Sequence, residues 1–384
     1  MQFEFATATT IIFGAGKLRE AGPTIKSAGQ RPLVVTGKNA QRTEPLLKIL
    51  RANQMDGVTF PVSGEPKIQT IRDGVALAKN EKCDWVIGIG GGSVLDAGKA
   101  IAAMLTNDGD VLDYLEIIGQ GKALTKHPAR FMAIPTTAGT GSEVTRNAVL
   151  ASSEHRLKVS LRSPHMLPAI ALVDPELTYD LPPGITANTG LDALTQLIEP
   201  YVCLRANPMT DALCREGIRL VARSFRHAVE NGQNPNARAD MAAASLFGGM
   251  ALANAGLGAV HGFAGPIGGM FSAPHGEICA ALLADVMEMN QRALRARDNE
   301  SLAVGRYNHI AQLLTGNNRA TAYVGIEWIR QLVSDFKIPR LGAHGIKPEH
   351  VGEIVKNAMN ASSMKANPIK LTEAELGEIL QRAL

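Results

Sequence analysis

Trp85-Val-Ile-Gly-Ile-Gly90 runs without a charged residue into Gly91-Gly-Ser-Val-Leu-Asp-Ala-Gly-Lys-Ala100. A short apolar run that ends in glycines and passes into helix-forming residues reads as strand, tight turn and helix, the building unit of an α/β sheet protein. Glycines at such a turn let backbone N–H groups approach a pyrophosphate, and the helix N-terminus adds partial positive charge. Ser93 can cap that helix or donate to a phosphate oxygen. The spacing is not G-x-G-x-x-G, so a plain glycine-rich turn stays open as a reading.

Further elements of the same kind surround this unit. Phe3 to Phe13 is β-like, Arg31-Pro-Leu-Val-Val-Thr36 is a short buried strand, Val58 to Pro61 is another, and Ile68 to Glu81 is an amphipathic helix. Strands are expected again at Arg130–Ile134, Val144–Ser152 and Ala169–Asp174. After Leu181-Pro-Pro-Gly184 the strand-like runs stop and Ala/Leu-rich helical periodicity continues almost to Leu384. The expected organisation is a Rossmann-like α/β dinucleotide-binding domain over residues 1–180, then an all-helical metal- and substrate-binding domain over residues 181–384. A length of 384 residues exceeds what one core usually holds, which agrees with two domains.

The composition is that of an ordinary globular chain, 45% hydrophobic and 20% charged. A net charge of +3, with no Lys/Arg run or aromatic–basic interleaving, argues against nucleic acid as a partner. Met1-Gln-Phe-Glu-Phe5 lacks the basic start and apolar core of a signal peptide, and no uncharged apolar run reaches membrane-spanning length. The four cysteines, Cys83, Cys203, Cys214 and Cys279, form no C-x-x-C pair, and the simple reading is free thiols in a reducing cytoplasm.

Gly258-Ala-Val-His-Gly262 and Ala273-Pro-His-Gly276 place His261 and His275 fourteen residues apart. Pro266 and Gly268-Gly269 argue against one straight helix across the span, so a bend is expected between the two. Two imidazoles from separate segments suit a divalent transition metal, although each could equally be a buried, hydrogen-bonded histidine. Asp192 and Gln196, four residues apart in a helical stretch, present a carboxylate and an amide from one face. A second polar loop, Pro135-Thr-Thr-Ala-Gly-Thr-Gly-Ser-Glu-Val-Thr145, follows an apolar strand with a density of hydroxyls suited to phosphate and ribose oxygens.

These motifs together resemble the iron-dependent (group III) alcohol dehydrogenase family, over essentially the whole chain. The carriers are Gly90-Gly-Gly-Ser93 with Asp96 and Lys99, the Thr136–Thr145 loop, Asp192, and the His261-Gly262 and Pro274-His275-Gly276 pairs. The resemblance implies the dehydroquinate synthase-like/iron-dependent alcohol dehydrogenase fold. It also implies a hydride exchange between NAD or NADP and a small primary alcohol and its aldehyde, in a homodimer. Cofactor contacts implied by it are Gly91, Gly92, Ser93, Asp96, Thr136, Thr137, Thr140, Thr145 and Lys158. The implied metal set for Fe2+ or Zn2+ is Asp192, Gln196, His261 and His275. No separate catalytic acid or base is identified.

The chain departs from the family pattern at two places. Gln196 stands where the family usually has His, and Gly265 stands where it commonly has a second His. A third difference bears on the cofactor: Gly37 follows Val35-Thr36 where NAD-preferring relatives tend to have Asp, and Lys38 is adjacent. With the repelling carboxylate missing, NADP is admitted and somewhat favoured. Two other readings stay open, a dehydroquinate synthase-type lyase on the same fold and a nucleotide-binding relative whose metal site has decayed.

Overall fold

The computed structural model describes residues 2–152, 154–155 and 157–384. The chain divides into two compact units. The first consists of Thr7–Thr137 and Gly141–Asp180, and the second of Leu181–Leu384 together with the short pieces 2–6 and Ala138–Thr140.

In the first unit, six parallel strands form one sheet in the order β1-β8-β5-β4-β2-β3. They are β1 (Thr10–Phe13), β2 (Pro32–Thr36), β3 (Val58–Pro61), β4 (Trp85–Gly90), β5 (Phe131–Pro135) and β8 (Ile170–Val173). The continuous apolar runs noted above are needed because both faces of the sheet are covered. Leu33, Val35 and Val86 enter one core, while Val34, Trp85, Ile87 and Ile89 enter the other. The remaining strands, β6 (Asn147–Ser152) and β7 (Leu157–Arg162), pair antiparallel as a separate ribbon.

Two expectations change. The β-like stretch from Phe3 contributes only Thr10–Phe13 to the sheet, since only that part finds a partner strand, at Ile170–Val173. The strand Leu157–Arg162 is not among the expected ones although its sequence alternates Leu-Lys-Val-Ser-Leu-Arg; Val159 and Leu161 are buried, and it pairs antiparallel with β6.

The second unit has no strand among its described residues. Its core joins Leu191, Leu194 and Leu197 of the Pro183–Val202 helix to Phe263 and Ile267 of the Ala259–Met270 helix. Ile278 and Leu282 of the His275–Arg297 helix enter the same core. No single helix among the described residues is long and apolar enough to cross a membrane. The expected break between His261 and His275 is present but falls later than the proline. The first helix runs through Pro266 and both glycines to Met270, and the next begins at His275 after Pro274. Burial of Phe263, Ala264 and Ile267 offsets the one hydrogen bond that Pro266 cannot make.

Candidate metal centre and nucleotide loops

Three helices of the second unit bring four side chains to one point. Asp192 comes from Pro183–Val202, His261 from Ala259–Met270, and His275 and Cys279 from successive turns of His275–Arg297. Their donor atoms all lie within 4.8 Å of one another. His261 Nε2 and His275 Nε2 stand 3.5 and 3.6 Å from Asp192 Oδ1. Cys279 Sγ lies 3.9 Å from His261 Nε2 and 3.7 Å from His275 Nε2. Asp192 Oδ1 is buried and accepts no hydrogen bond from the described residues. A buried carboxylate oxygen left without a donor is costly unless a cation completes it.

The electrostatics favour positive charge at this point. Burial pushes the His261 imidazole down, but the Cys279 sulfur, Glu199 and Asp192 outweigh it and raise it well above the ordinary histidine range. Burial likewise opposes the charged form of His275, and Cys279 and Asp192 again raise it. Burial works against the Asp192 carboxylate too, yet the neighbouring His275 and His261 hold its pKa below the usual value. These residues fit a divalent ion: an orphaned carboxylate oxygen, two ring nitrogens and a sulfur converge where cationic charge is stabilised.

Two partners absent from the sequence reading aim His261. Glu199, seven residues after Asp192 on the same helix face, has Oε2 2.6 Å from His261 Nδ1, and its Oε1 accepts from Val260 N at 2.7 Å. Asn367 Oδ1 accepts from Ala259 N at 3.1 Å, and its Nδ2 donates to Asn290 Oδ1 at 2.8 Å. Asn367 thereby ties the start of the His261 helix to the helix of His275. Gly258 permits both contacts, since a Cβ there would lie 2.9 Å from both Glu199 Oε1 and Asn367 Oδ1. The spacing of Glu199 from Asp192 was a usable signal; the distance of Asn367 in sequence was not.

Gln196, the remaining expected ligand, has a hydrogen bond of its own. It is buried, and its Nε2 donates to Gly139 O at 2.9 Å. Cys279 also stands in the cluster, four residues after His275, the same helical spacing that singled out Gln196 after Asp192. At Gly265, one turn after His261, an added Cβ would meet no atom within 4 Å.

In the first unit, the expected nucleotide residues gather at one edge of the sheet. Adjacent parallel strands β5, β4 and β2 end at Thr136-Thr137, Gly91-Gly92-Ser93 and Gly37. From β2 the chain passes outward to β3 and then returns to β4 on the other side, so Gly37 and Gly91 flank a topological switch point. The carboxyl ends of strands at such a point are where open α/β sheets bind ligands. Gly91 is the N-cap of the Gly92–Thr106 helix with no side-chain cap, so the first N–H groups receive no side-chain acceptor. Ser93 lies inside the first turn rather than at the cap, because Gly91 already occupies that position.

Asp96 and Thr145 serve the loop itself. Lys99 is buried and donates to Ser142 O at 3.0 Å and Thr145 Oγ1 at 2.9 Å, and its ammonium lies 3.1 Å from Asp96 Oδ1. Asp96 also accepts from Ser142 Oγ at 2.5 Å and Val149 N at 2.9 Å. This network fastens the polar loop to the glycine-turn helix. Glu143, missed in the sequence because the loop reads as exposed, is buried beside it. Burial raises its carboxyl to about 7, against the pull of a backbone hydrogen bond and Lys99. Lys158 Nζ is paired with Glu65 Oε1 at 2.9 Å, and Thr140 lies in the Ala138–Thr140 piece of the second unit.

Comparison with known proteins adds two family matches. Residues 8–175 match "Iron-containing alcohol dehydrogenase", and residues 186–384 match "Fe-containing alcohol dehydrogenase family, C-terminal". The chain is 37% identical to alcohol dehydrogenase 4 of Schizosaccharomyces pombe, covering 97% of this chain and 87% of that one. It is 35% identical to 1,3-propanediol dehydrogenase of Citrobacter freundii, covering 99% and 98%. The crystal structure of a 1,3-propanediol oxidoreductase superposes with a TM-score of 0.92 at 35% identity, covering 100% of both chains.

Proposed function

The chain belongs to the iron-containing alcohol dehydrogenase family and is an alcohol–aldehyde oxidoreductase, and on that premise we propose that Asp192, His261 and His275 hold its divalent metal and that NADP(H) serves at least as well as NAD(H). Family membership selects hydride transfer over the lyase alternative. The observation that carries the metal assignment is the buried, undonated Asp192 Oδ1 facing two imidazole nitrogens.

A divalent ion held by these residues supplies Lewis acidity toward an alcohol or carbonyl oxygen, while the nicotinamide carries the hydride. The protein's part is positional. Asp192 contributes negative charge at a buried point, and Glu199 holds His261 Nδ1 so that Nε2 points at the cluster. The His275 side chain keeps 32% of its surface exposed, which leaves one side of the cluster approachable. Gly265, on the face of His261, removes side-chain volume there and admits bulkier aldehydes than a histidine would.

Nucleotide binding falls to Gly91, Gly92 and Ser93 at the uncapped helix start and to Thr136 and Thr137 on the neighbouring strand end. Asp96, Lys99 and Thr145 hold that loop in shape. Thr140 and Lys158 complete the contacts by family resemblance, Lys158 on exchanging its Glu65 partner for the nucleotide. Gly37 leaves the ribose side without a repelling carboxylate, and a side chain added there would find only Val94 Cγ2, at 4.0 Å. A homodimer in the cytoplasm completes the reading on the same resemblance, and sedimentation and cell fractionation test those two points.

The experiment for the whole reading is aldehyde-dependent oxidation of NADPH and NADH by purified protein before and after chelation. Loss on chelation and recovery on adding iron or zinc are expected. Full activity in metal-free protein would overturn it.

A further inference from the structure

We propose that Cys279, as a thiolate, is the fourth protein ligand of the metal, and that Gln196 is not a ligand. The proposal rests on the reading that a divalent ion binds at Asp192, His261 and His275.

Four-coordinate ligand sets with metal–nitrogen, metal–oxygen and metal–sulfur bonds of ordinary length have donor–donor separations of about 3.3–3.6 Å. The separations here are 3.5 and 3.6 Å from Asp192 Oδ1 to the two ring nitrogens, and 3.7 and 3.9 Å from Cys279 Sγ to the same nitrogens. The sulfur pairs are the longer ones, as its larger radius requires. Cys279 is fully buried, and among the described residues its Sγ hydrogen-bonds only to the two cluster imidazoles. The undonated, buried Asp192 Oδ1 is a second sign that the group converging here is a cation rather than a hydrogen-bond network.

Helix geometry explains why Cys279 reaches the point. Cys279 sits one turn beyond His275, on the same face and directed at the same centre. Gln196 stands in the same relation to Asp192, and its Nε2 donates to Gly139 O at 2.9 Å, which fixes how its amide is turned. A thiolate and a carboxylate also neutralise a divalent charge completely. Thiolate ligation favours zinc or cobalt over the harder ferrous ion and makes metal retention sensitive to thiol alkylation or oxidation.

Cobalt(II) loading of the full-length protein tests the proposal, because a cobalt–thiolate bond gives an intense near-ultraviolet charge-transfer band independent of catalysis. The band is expected in the wild type and in Gln196→Ala, and absent in Cys279→Ser. Cobalt affinity in Cys279→Ser should fall more than about 100-fold, beyond the roughly 10–100-fold scale on which loss of an outer-shell partner already acts. The wild-type spectrum reads the bond without reference to any variant's folding. Cobalt bound in an Asp192-dependent manner with no thiolate band would overturn the Cys279 assignment alone. Failure of the wild type to bind cobalt, zinc or iron would overturn the metal reading beneath it as well.

Discussion

Glu199 Oε2 lies 2.6 Å from His261 Nδ1, so a carboxylate on the Asp192 helix sets the ring that faces Asp192 itself. Both acidic residues come from one helical stripe, one facing the proposed metal position directly and the other acting through the imidazole. An imidazole with one nitrogen held in this way presents the other in a fixed direction and with greater basicity.

Glu199→Gln should therefore weaken metal binding by about 10–100-fold while leaving the ligand set intact. Metal dissociation constants, measured by competition with a chromophoric chelator, check this. Unchanged affinity would mean that Glu199 only caps the helix through Val260 N.

Asp192→Ala or His275→Ala should yield folded protein without bound metal. Activity should fall more than about 100-fold, since a direct ligand outweighs an outer-shell partner. Elemental analysis alongside kinetics reads both effects. A metal-replete, active Asp192→Ala protein would contradict the assignment.

Gly37→Asp should move preference toward NADH by about 1–3 kcal/mol, the scale of a hydrogen bond to a charged group plus repulsion of a 2′-phosphate. The ratio of kcat/KM for the two cofactors is the measurement. An enzyme that uses only NAD(H) before the change would refute the premise.

Glu143 carries a pH signature of the α/β unit. Its folded pKa of about 7 is above the ordinary value of 4.5, so the folded state holds the proton more tightly. Stability is then greatest below about pH 4.5, declines as pH rises, and is lower by up to about 3 kcal/mol above pH 7. Glu143→Gln should remove that decline. Urea midpoints of variant and wild type at pH 5 and pH 8 should diverge at the higher pH; a constant difference would show that Glu143 titrates normally.

Gly265→Ala places a methyl in open space within a helix, so the melting temperature should rise by an amount matching about 0.5–1 kcal/mol. The same change should lower kcat/KM for branched aldehydes more than for short linear ones. Equal effects on both would separate Gly265 from substrate selection.

Local chemistry alone carried much of this protein. The runs Pro32–Thr36, Val58–Pro61 and Trp85–Gly90 are strands because an apolar segment bounded by turn residues has few other options. The change to helix after Pro182-Pro183 was legible for the same reason. Asp192, His261 and His275 stood out because their motifs resemble the family's metal-ligand pattern, which is recognised without reference to distance.

What tertiary structure alone supplied depends on how helices far apart in sequence cross. Cys279 has no motif to mark it, and it meets Asp192 and His261 only because three helices converge there. Gln196 has the right helical phase but finds Gly139 O, contributed by the short piece Ala138–Thr140. Asn367 gains its role only through its bonds to Ala259 and Asn290, each spanning long sequence separation. Periodicity specifies which face of a helix is inward; which donor atoms meet on that face is set by side-chain packing between helices, whose crossing angles no local pattern encodes.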